Sequence, residues 1–257
     1  MGPVRISTSV ALVVSAAMAS PAMAPPARST SRSCSTVLES KVCTWVVLKG
    51  TAAVELGLTI PIAVVEAAPL DAEMVWPPAE LATVTLPPEA KRALGIDHLG
   101  INWEAHGHPP APFLTPHFDF HFYTLSRDAV RAIDCADTTK PQTLPGKYAL
   151  PDIAIPNMGV LVGLCVPRMG MHALAAQELT ATAPFEASMI VGYYRGQSIF
   201  FEPMISRARL LEKSDFTLMV PAVASLPAGV RYPSAFRASY DAARKEYRMV
   251  FSGFPSK

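Results

Sequence analysis

Apolar and polar positions alternate in short runs along most of the chain, with the period of strands rather than helices. Ten such runs, at 44–48, 56–65, 81–86, 98–104, 116–124, 185–194, 197–204, 216–220, 235–240 and 246–251, are rich in β-branched or aromatic residues and are bounded by turn formers. The runs 185–194 and 197–204 flank Arg195-Gly196, a dipeptide suited to a two-residue turn, and that hairpin places Glu202 opposite Met189. A second hairpin joins 236–240 to 246–251 through 241–245 and closes the domain. Helical signals are brief. Leu125, Ser126 and Asp128 supply a staple, a cap and an acidic first turn ahead of apolar Ala129, Val130, Ala132 and Ile133, and Ser206 caps a second helix over 207–213. No repeat of solenoid length is present. The pattern predicts an α+β fold, mainly antiparallel β-sheet with a few short helices.

One run carries unusual chemistry. In Pro116-His-Phe-Asp-Phe-His-Phe-Tyr123, Phe118, Phe120 and Phe122 form one stripe, and His117, Asp119, His121 and Tyr123 form the other. The phenylalanines bury the strand, while the opposite face offers imidazoles, a carboxylate and a phenol where Lys, Glu, Thr or Ser would be ordinary. At about 3.3 Å per residue, the Cα atoms of His117 and His121 stand roughly 13 Å apart, near the limit for sharing one ion. A site in which only some of these residues join ligands from elsewhere is therefore favoured over a three-ligand strand.

Two residues are candidates to complete that site. His172 ends the turn-rich stretch Pro167-Arg-Met-Gly-Met-His172. Glu202 shares a face with apolar Phe200 and Met204, and a carboxylate in such a setting must be protonated, paired or coordinated. Pro203 directly after it marks an edge or a bulge, where a side chain is re-aimed. A buried ion pair with Arg207 is the competing reading of Glu202. The predicted metal ligands are thus His117, Asp119, His121, His172 and Glu202, for zinc, manganese or iron, all of which accept mixed nitrogen and oxygen donors. His98, Asn102 and Glu104 alternate on another strand face, and His106 and His108 follow in the next loop. From these and strand 116–124, His98, His108 and Tyr123 are assigned as partners that orient the ligand imidazoles. Met158, Met169 and Met171 read as core filler rather than as a copper site. A nucleophile elbow, a phosphate-cradling glycine loop, a zincin helix motif and a dinucleotide fingerprint are all missing.

Composition and charge narrow the class. Lys plus Arg is 22 against 21 Asp plus Glu, which lacks the electrostatic footprint of a nucleic-acid or anionic-membrane binder. Basic Met1–Arg5, uncharged 6–19 and the small-x-small site Ala17-Met18-Ala19 predict a signal peptide over 1–19, a Pro/Ser-rich exported segment over 20–41 and a single globular domain over 42–257. The apolar run is too short to remain as a membrane span, so no stable membrane insertion is expected after cleavage. Cys34, Cys43, Cys135 and Cys165 are even in number in a chain read as secreted or periplasmic, which favours disulfides. Three pairings exist, and Cys34 with Cys43 and Cys135 with Cys165 close the shortest loops.

The ordered motifs Gly107-His-Pro-Pro110, the octapeptide around His117, Met169-Gly-Met-His172, Gly192-Tyr-Tyr-Arg-Gly196, Phe201-Glu-Pro-Met204, and Tyr240-Asp with Glu246-Tyr247 resemble an uncharacterised bacterial family of unknown function. It is typified by a sigma-E-controlled hypothetical protein of Thermus. The resemblance spans about 42–254 and implies that these motifs belong together. The chain departs from the family at Ala173, where a tryptophan commonly follows the motif histidine. Two functional readings follow. One is an exported divalent-metal protein, able to serve as a metal-dependent enzyme, with a small-molecule ligand and a homo-oligomer both compatible with it. The alternative is a noncatalytic envelope or stress-related binding or structural protein whose polar strand face is a core network or a subunit interface.

Overall fold

The alternating runs assemble into two large antiparallel sheets that face each other across a phenylalanine-rich core. The computed structural model describes residues 1–2, 27–155 and 159–255. All but the first two residues of the expected signal peptide lie outside these, as does Met158. In chain order the elements are β1 (Arg28–Val37), β2 (Ser40–Lys49), β3 (Ala52–Pro61), α1 (Ile62–Ala67), β4 (Glu80–Thr85), α2 (Pro88–Leu94), β5 (His98–Glu104), β6 (His117–Tyr123), α3 (Arg127–Arg131) and β7 (Tyr148–Ala149). They continue with β8 (Ile153–Ile155), β9 (Gly159–Leu161), β10 (Met171–Ala175), β11 (Ala187–Tyr194), β12 (Gln197–Ser206), α4 (Arg207–Leu211), β13 (Phe216–Leu218), β14 (Ala235–Asp241) and β15 (Glu246–Ser252). One sheet runs β1-β2-β3-β15-β14-β13 and the other β4-β5-β6-β12-β11-β10-β7, with β8-β9 a separate two-stranded sheet. The mainly antiparallel α+β class read from the sequence is the one observed.

Phe118, Phe120 and Phe122 of β6 are fully buried and point toward the six-stranded sheet. Phe122 meets Phe251 of β15 at a centroid distance of 5.0 Å, and Phe201 of β12 meets the same ring at 4.7 Å. Each such side chain contributes roughly 1.5–3 kcal/mol of burial, enough for this stripe to set which way β6 faces. The odd-numbered residues of β6 must then point away from the main core. They do not reach solvent, because the 105–116 loop, α3 and the segment leading into β10 cover that face. A second apolar cluster lies beneath this cover, including Phe113, Val130, Ile133, Leu164 and Phe200.

The two serine caps form as expected. The Ser126 hydroxyl accepts from the Ala129 N–H at 3.3 Å, and the Ser206 hydroxyl accepts from the Arg209 N–H at 3.1 Å. Both disulfides take the short-loop pairing, Cys34–Cys43 across directly opposed positions of β1 and β2, and Cys135–Cys165 between the segment after α3 and the approach to β10. Strand β1, which lies within the segment read as Pro/Ser-rich, pairs with β2 over its whole length. Strand β1 is a solvent-facing edge of Ser, Thr and Arg and so carried no apolar alternation. Run 56–65 divides at Pro61 into β3 and α1. Its unbroken apolar character suits a buried strand and a buried helix equally.

The 185–204 hairpin turns at Arg195 and Gly196, whose φ values of 50° and 74° are those of the two-residue turn that matches strand twist. A bulge between Gly192 and Tyr193 then shifts the register by one, so Glu202 pairs with Ile190 and not with Met189. Bulges insert an extra residue that sequence alternation alone does not reveal.

Candidate metal centre

Strand register gathers the polar residues on the covered face of the seven-stranded sheet. Tyr123, His121, Asp119 and His117 of β6 lie opposite His98, Gly100, Asn102 and Glu104 of β5. On its other side β6 faces β12, where Phe200 pairs with Tyr123 and Met204 with Asp119, so Glu202 falls beside His121. His172 enters from β10, opposite Gly192 of β11. His117, Asp119, His121, His172 and Glu202 are all buried.

The five predicted ligands do not converge on one point. They form two groups, His121, His172 and Glu202 in one, and His117 and Asp119 with His108 in the other, each with its donor atoms within 4.8 Å of one another. Residues 117 and 121 sit four positions apart along β6, and each finds partners from its own neighbours. His108, expected to orient an imidazole, instead stands among the ligand atoms of the second group, its ring edge-on to that of His117 at 4.8 Å.

The imidazoles are held for coordination. Nδ1 of His172 lies 3.0 Å from the Leu164 carbonyl, Nδ1 of His117 2.7 Å from that of Thr115, and Nδ1 of His108 2.9 Å from that of Pro109. A carbonyl only accepts, so each Nδ1 must carry the proton and each Nε2 must present a lone pair. The Nε2 atoms of His117, His121 and His172 face carboxylate oxygens, and both ring nitrogens of His121 are without a hydrogen-bond partner among the described residues. His117 Nε2 is 3.3 Å from Asp119 Oδ1, His121 Nε2 is 3.4 Å from Glu202 Oε2, and His172 Nε2 is 4.0 Å from the same oxygen. Two ligands at about 2.1 Å from a tetrahedral ion stand about 3.4 Å apart, which matches the two shorter separations. The Nε2 atoms of His117 and His121, Asp119 Oδ1 and Glu202 Oε2 are buried without a hydrogen-bond partner among the described residues. Buried polar atoms rarely go unpaired, and four such atoms facing each other in pairs is a pattern that a cation resolves.

Electrostatics separates these contacts from ordinary ion pairs. Burial holds the His117 and His121 pKa values well below the usual imidazole range, and neighbouring histidines push them further down. Burial, then repulsion from other carboxylates, holds Asp119 and Glu202 well above the usual carboxylate range. Burial therefore works against an imidazolium–carboxylate ion pair at each of these contacts. Burial likewise brings His172 down to about 4 and lifts Glu104 to about 7.

A cavity of about 50 Å³ opens onto the centre, bordered by Glu104, His108, Asp119, His172 and Glu202 and otherwise chiefly by apolar side chains such as Leu164, Met169 and Ile190. It has room for a few waters or a small ligand. Glu104 lines it without a salt bridge among the described residues and pairs in register with His117. Its alternation with His98 and Asn102 was the sequence signal for it. Arg207 does not partner Glu202, because its guanidinium donates to the carbonyls of Val65 and Glu66.

The other two expected orienting residues, His98 and Tyr123, stand on the same covered face. The ring of His98 turns toward Asp97 at 3.2 Å and stacks on Tyr123 at 5.0 Å. Tyr123 stacks in turn on His121 at 5.4 Å and 8°, fixing the plane of that ring. Burial keeps the Tyr123 phenol well above its usual pKa, so it stays protonated and is a poor anionic ligand. Phe200 packs edge-on against His121 at 4.9 Å and tilted against His172 at 5.1 Å. It can do so only over a glycine, since a Cβ at Gly192 would lie 2.0 Å from its ring. Gly192→Ala is expected to cost at least the 1–3 kcal/mol of an overpacked core and to displace the ring that wedges both imidazoles. Urea unfolding combined with metal titration checks this, and an unchanged midpoint and affinity would contradict it.

Comparison with protein-family models, with curated proteins and with solved structures finds no match to this chain.

Proposed function

We propose that this chain is an exported divalent-metal protein, allied to the bacterial family whose motifs it resembles. Its ion, zinc, manganese or iron, is held by His121, His172 and Glu202. The observation that carries this reading is the pair of unpartnered buried atoms, His121 Nε2 and Glu202 Oε2, separated by the distance that a shared ion sets between its ligands. Three protein ligands beside a small cavity leave a coordination position for water or substrate, which is how catalytic metal sites differ from closed structural ones. A metal-dependent enzyme acting on a small substrate is therefore favoured over a purely structural network, which would have satisfied these atoms with hydrogen bonds. Two disulfides support export to an oxidising compartment. No helix among the described residues is long and apolar enough to cross a membrane.

The reading is tested by elemental analysis of protein purified without chelator. At least one equivalent of a first-row divalent metal per chain is expected, and Glu202→Ala should lose the ion of this triad. A protein that carries no metal, and whose melting temperature is unmoved by added zinc, manganese or iron(II), would remove the basis for the proposal.

A further inference from the structure

We propose that the centre takes two divalent cations, the second on His108, His117 and Asp119, with the carboxylates of Asp119 and Glu202 lying between the two ions. This rests on the reading of the first triad as a metal site and extends it.

The second triad has the same donor set as the first. It offers two imidazoles and one carboxylate, and both Nδ1 positions are fixed on backbone carbonyls. His117 Nε2 and Asp119 Oδ1 are buried, unpartnered among the described residues and 3.3 Å apart. His117 is 0 % exposed and Asp119 4 %, so water is a poor substitute partner for either.

The two triads are also continuous. Asp119 and His121 are successive residues on one face of β6, about 7 Å apart along the strand. Glu202 reaches that face beside His121, and Met204, two residues on, pairs with Asp119, so the Asp119 and Glu202 carboxyls are neighbours on it. Members of both triads border the same cavity. A separate structural ion would not need to share a carboxylate contact and a cavity with its neighbour.

Nitrogen and oxygen donors without a thiolate select zinc, manganese or iron(II) over softer ions.

The experiment is metal counting combined with electron paramagnetic resonance on the full mature chain stripped of metal and reloaded with Mn(II). Two equivalents per chain and a spin-coupled spectrum are expected. His108→Gln, on a half-buried loop, and His117→Gln should each bring the count to one and leave the uncoupled six-line signal of an isolated Mn(II). The urea midpoint of each metal-free variant serves as the fold control, and His108→Gln remains informative if His117→Gln fails to fold. One equivalent in the wild type, unchanged by His108→Gln, overturns the second site and leaves the first standing. Two equivalents without coupling overturn the carboxylate bridge, and no metal at all overturns the first reading as well.

Discussion

Between pH 6.5 and 8, the chelator-stripped protein is expected to lose stability while the metal-loaded protein gains it. The sign follows from the direction in which folding moves each group. Glu104 rises from 4.5 to about 7 on folding, so its contribution is complete below 4.5 and is lost as pH climbs through 7. Asp119 and Glu202 are raised as well and act in the same sense. His172 falls from 6.5 to about 4, so its contribution is complete above 6.5 and is lost as pH drops through 4. His117 and His121 share that direction. The two sets oppose each other below pH 6.5, and above it only the carboxyl groups still titrate, so the empty protein weakens there. A bound cation displaces the protons that those carboxyls otherwise require, and its apparent affinity therefore increases over the same window. At a free ion concentration of about 1,000 Kd the stabilisation is about 4 kcal/mol, or roughly 10 °C in melting temperature for a domain of this size. Melting curves at pH 6.5 and 8, each with chelator and with metal, measure the effect. Stability that moves in parallel with pH in the two forms would contradict a metal centre.

The parts of this centre that could be seen in the sequence are those governed by period two. The split of β6 into a phenylalanine stripe and a polar stripe needs only alternation, and both stripes are where alternation puts them. Glu202 was detectable because a carboxylate among Phe200 and Met204 conflicts with its surroundings, and it is 2 % exposed. The rise of a strand already argued that His117 and His121 are too distant to share one ion comfortably, and their division between two triads is the outcome. What stayed hidden depends on long-range placement. His172 lies on β10, whose Met-His-Ala-Leu-Ala run is too short and too poor in β-branched residues to signal a strand. His108 becomes a ligand candidate only because its loop folds back, with its N–H on the Phe113 carbonyl at 3.2 Å, over the end of β6. The one-residue error in the β11–β12 pairing came from the bulge at Gly192, and the glycine there is explained by the Phe200 ring above it rather than by any local turn.

Glu202→Gln is expected to make the metal-free protein more stable at pH 8 while abolishing its stabilisation by the ion of the His121 triad. The carboxamide keeps the size of the carboxyl, cannot ionise, and has an N–H that can donate a hydrogen bond towards Asp119. In the empty wild type the buried Glu202 faces both the Asp119 carboxyl and Nε2 of His121 with no hydrogen bond to its Oε2 among the described residues, and relieving such a contact is worth about 1–3 kcal/mol. The gain should shrink at pH 5, where the raised pKa already keeps Glu202 protonated. The amide oxygen carries no net charge and is a far weaker ligand for a divalent cation, so the variant forgoes the increment that an ion on this triad gives the wild type. Urea unfolding with chelator and with metal, at both pH values, should then show the order of the two proteins reversing on metal addition. A carboxylate retained for packing, or for an ordinary hydrogen-bond network, gives the opposite result, with Gln destabilising at both pH values and no reversal. A residue whose replacement strengthens the empty fold and removes only the response to the ion is maintained at a cost in stability, and ligand binding is the function that offsets that cost.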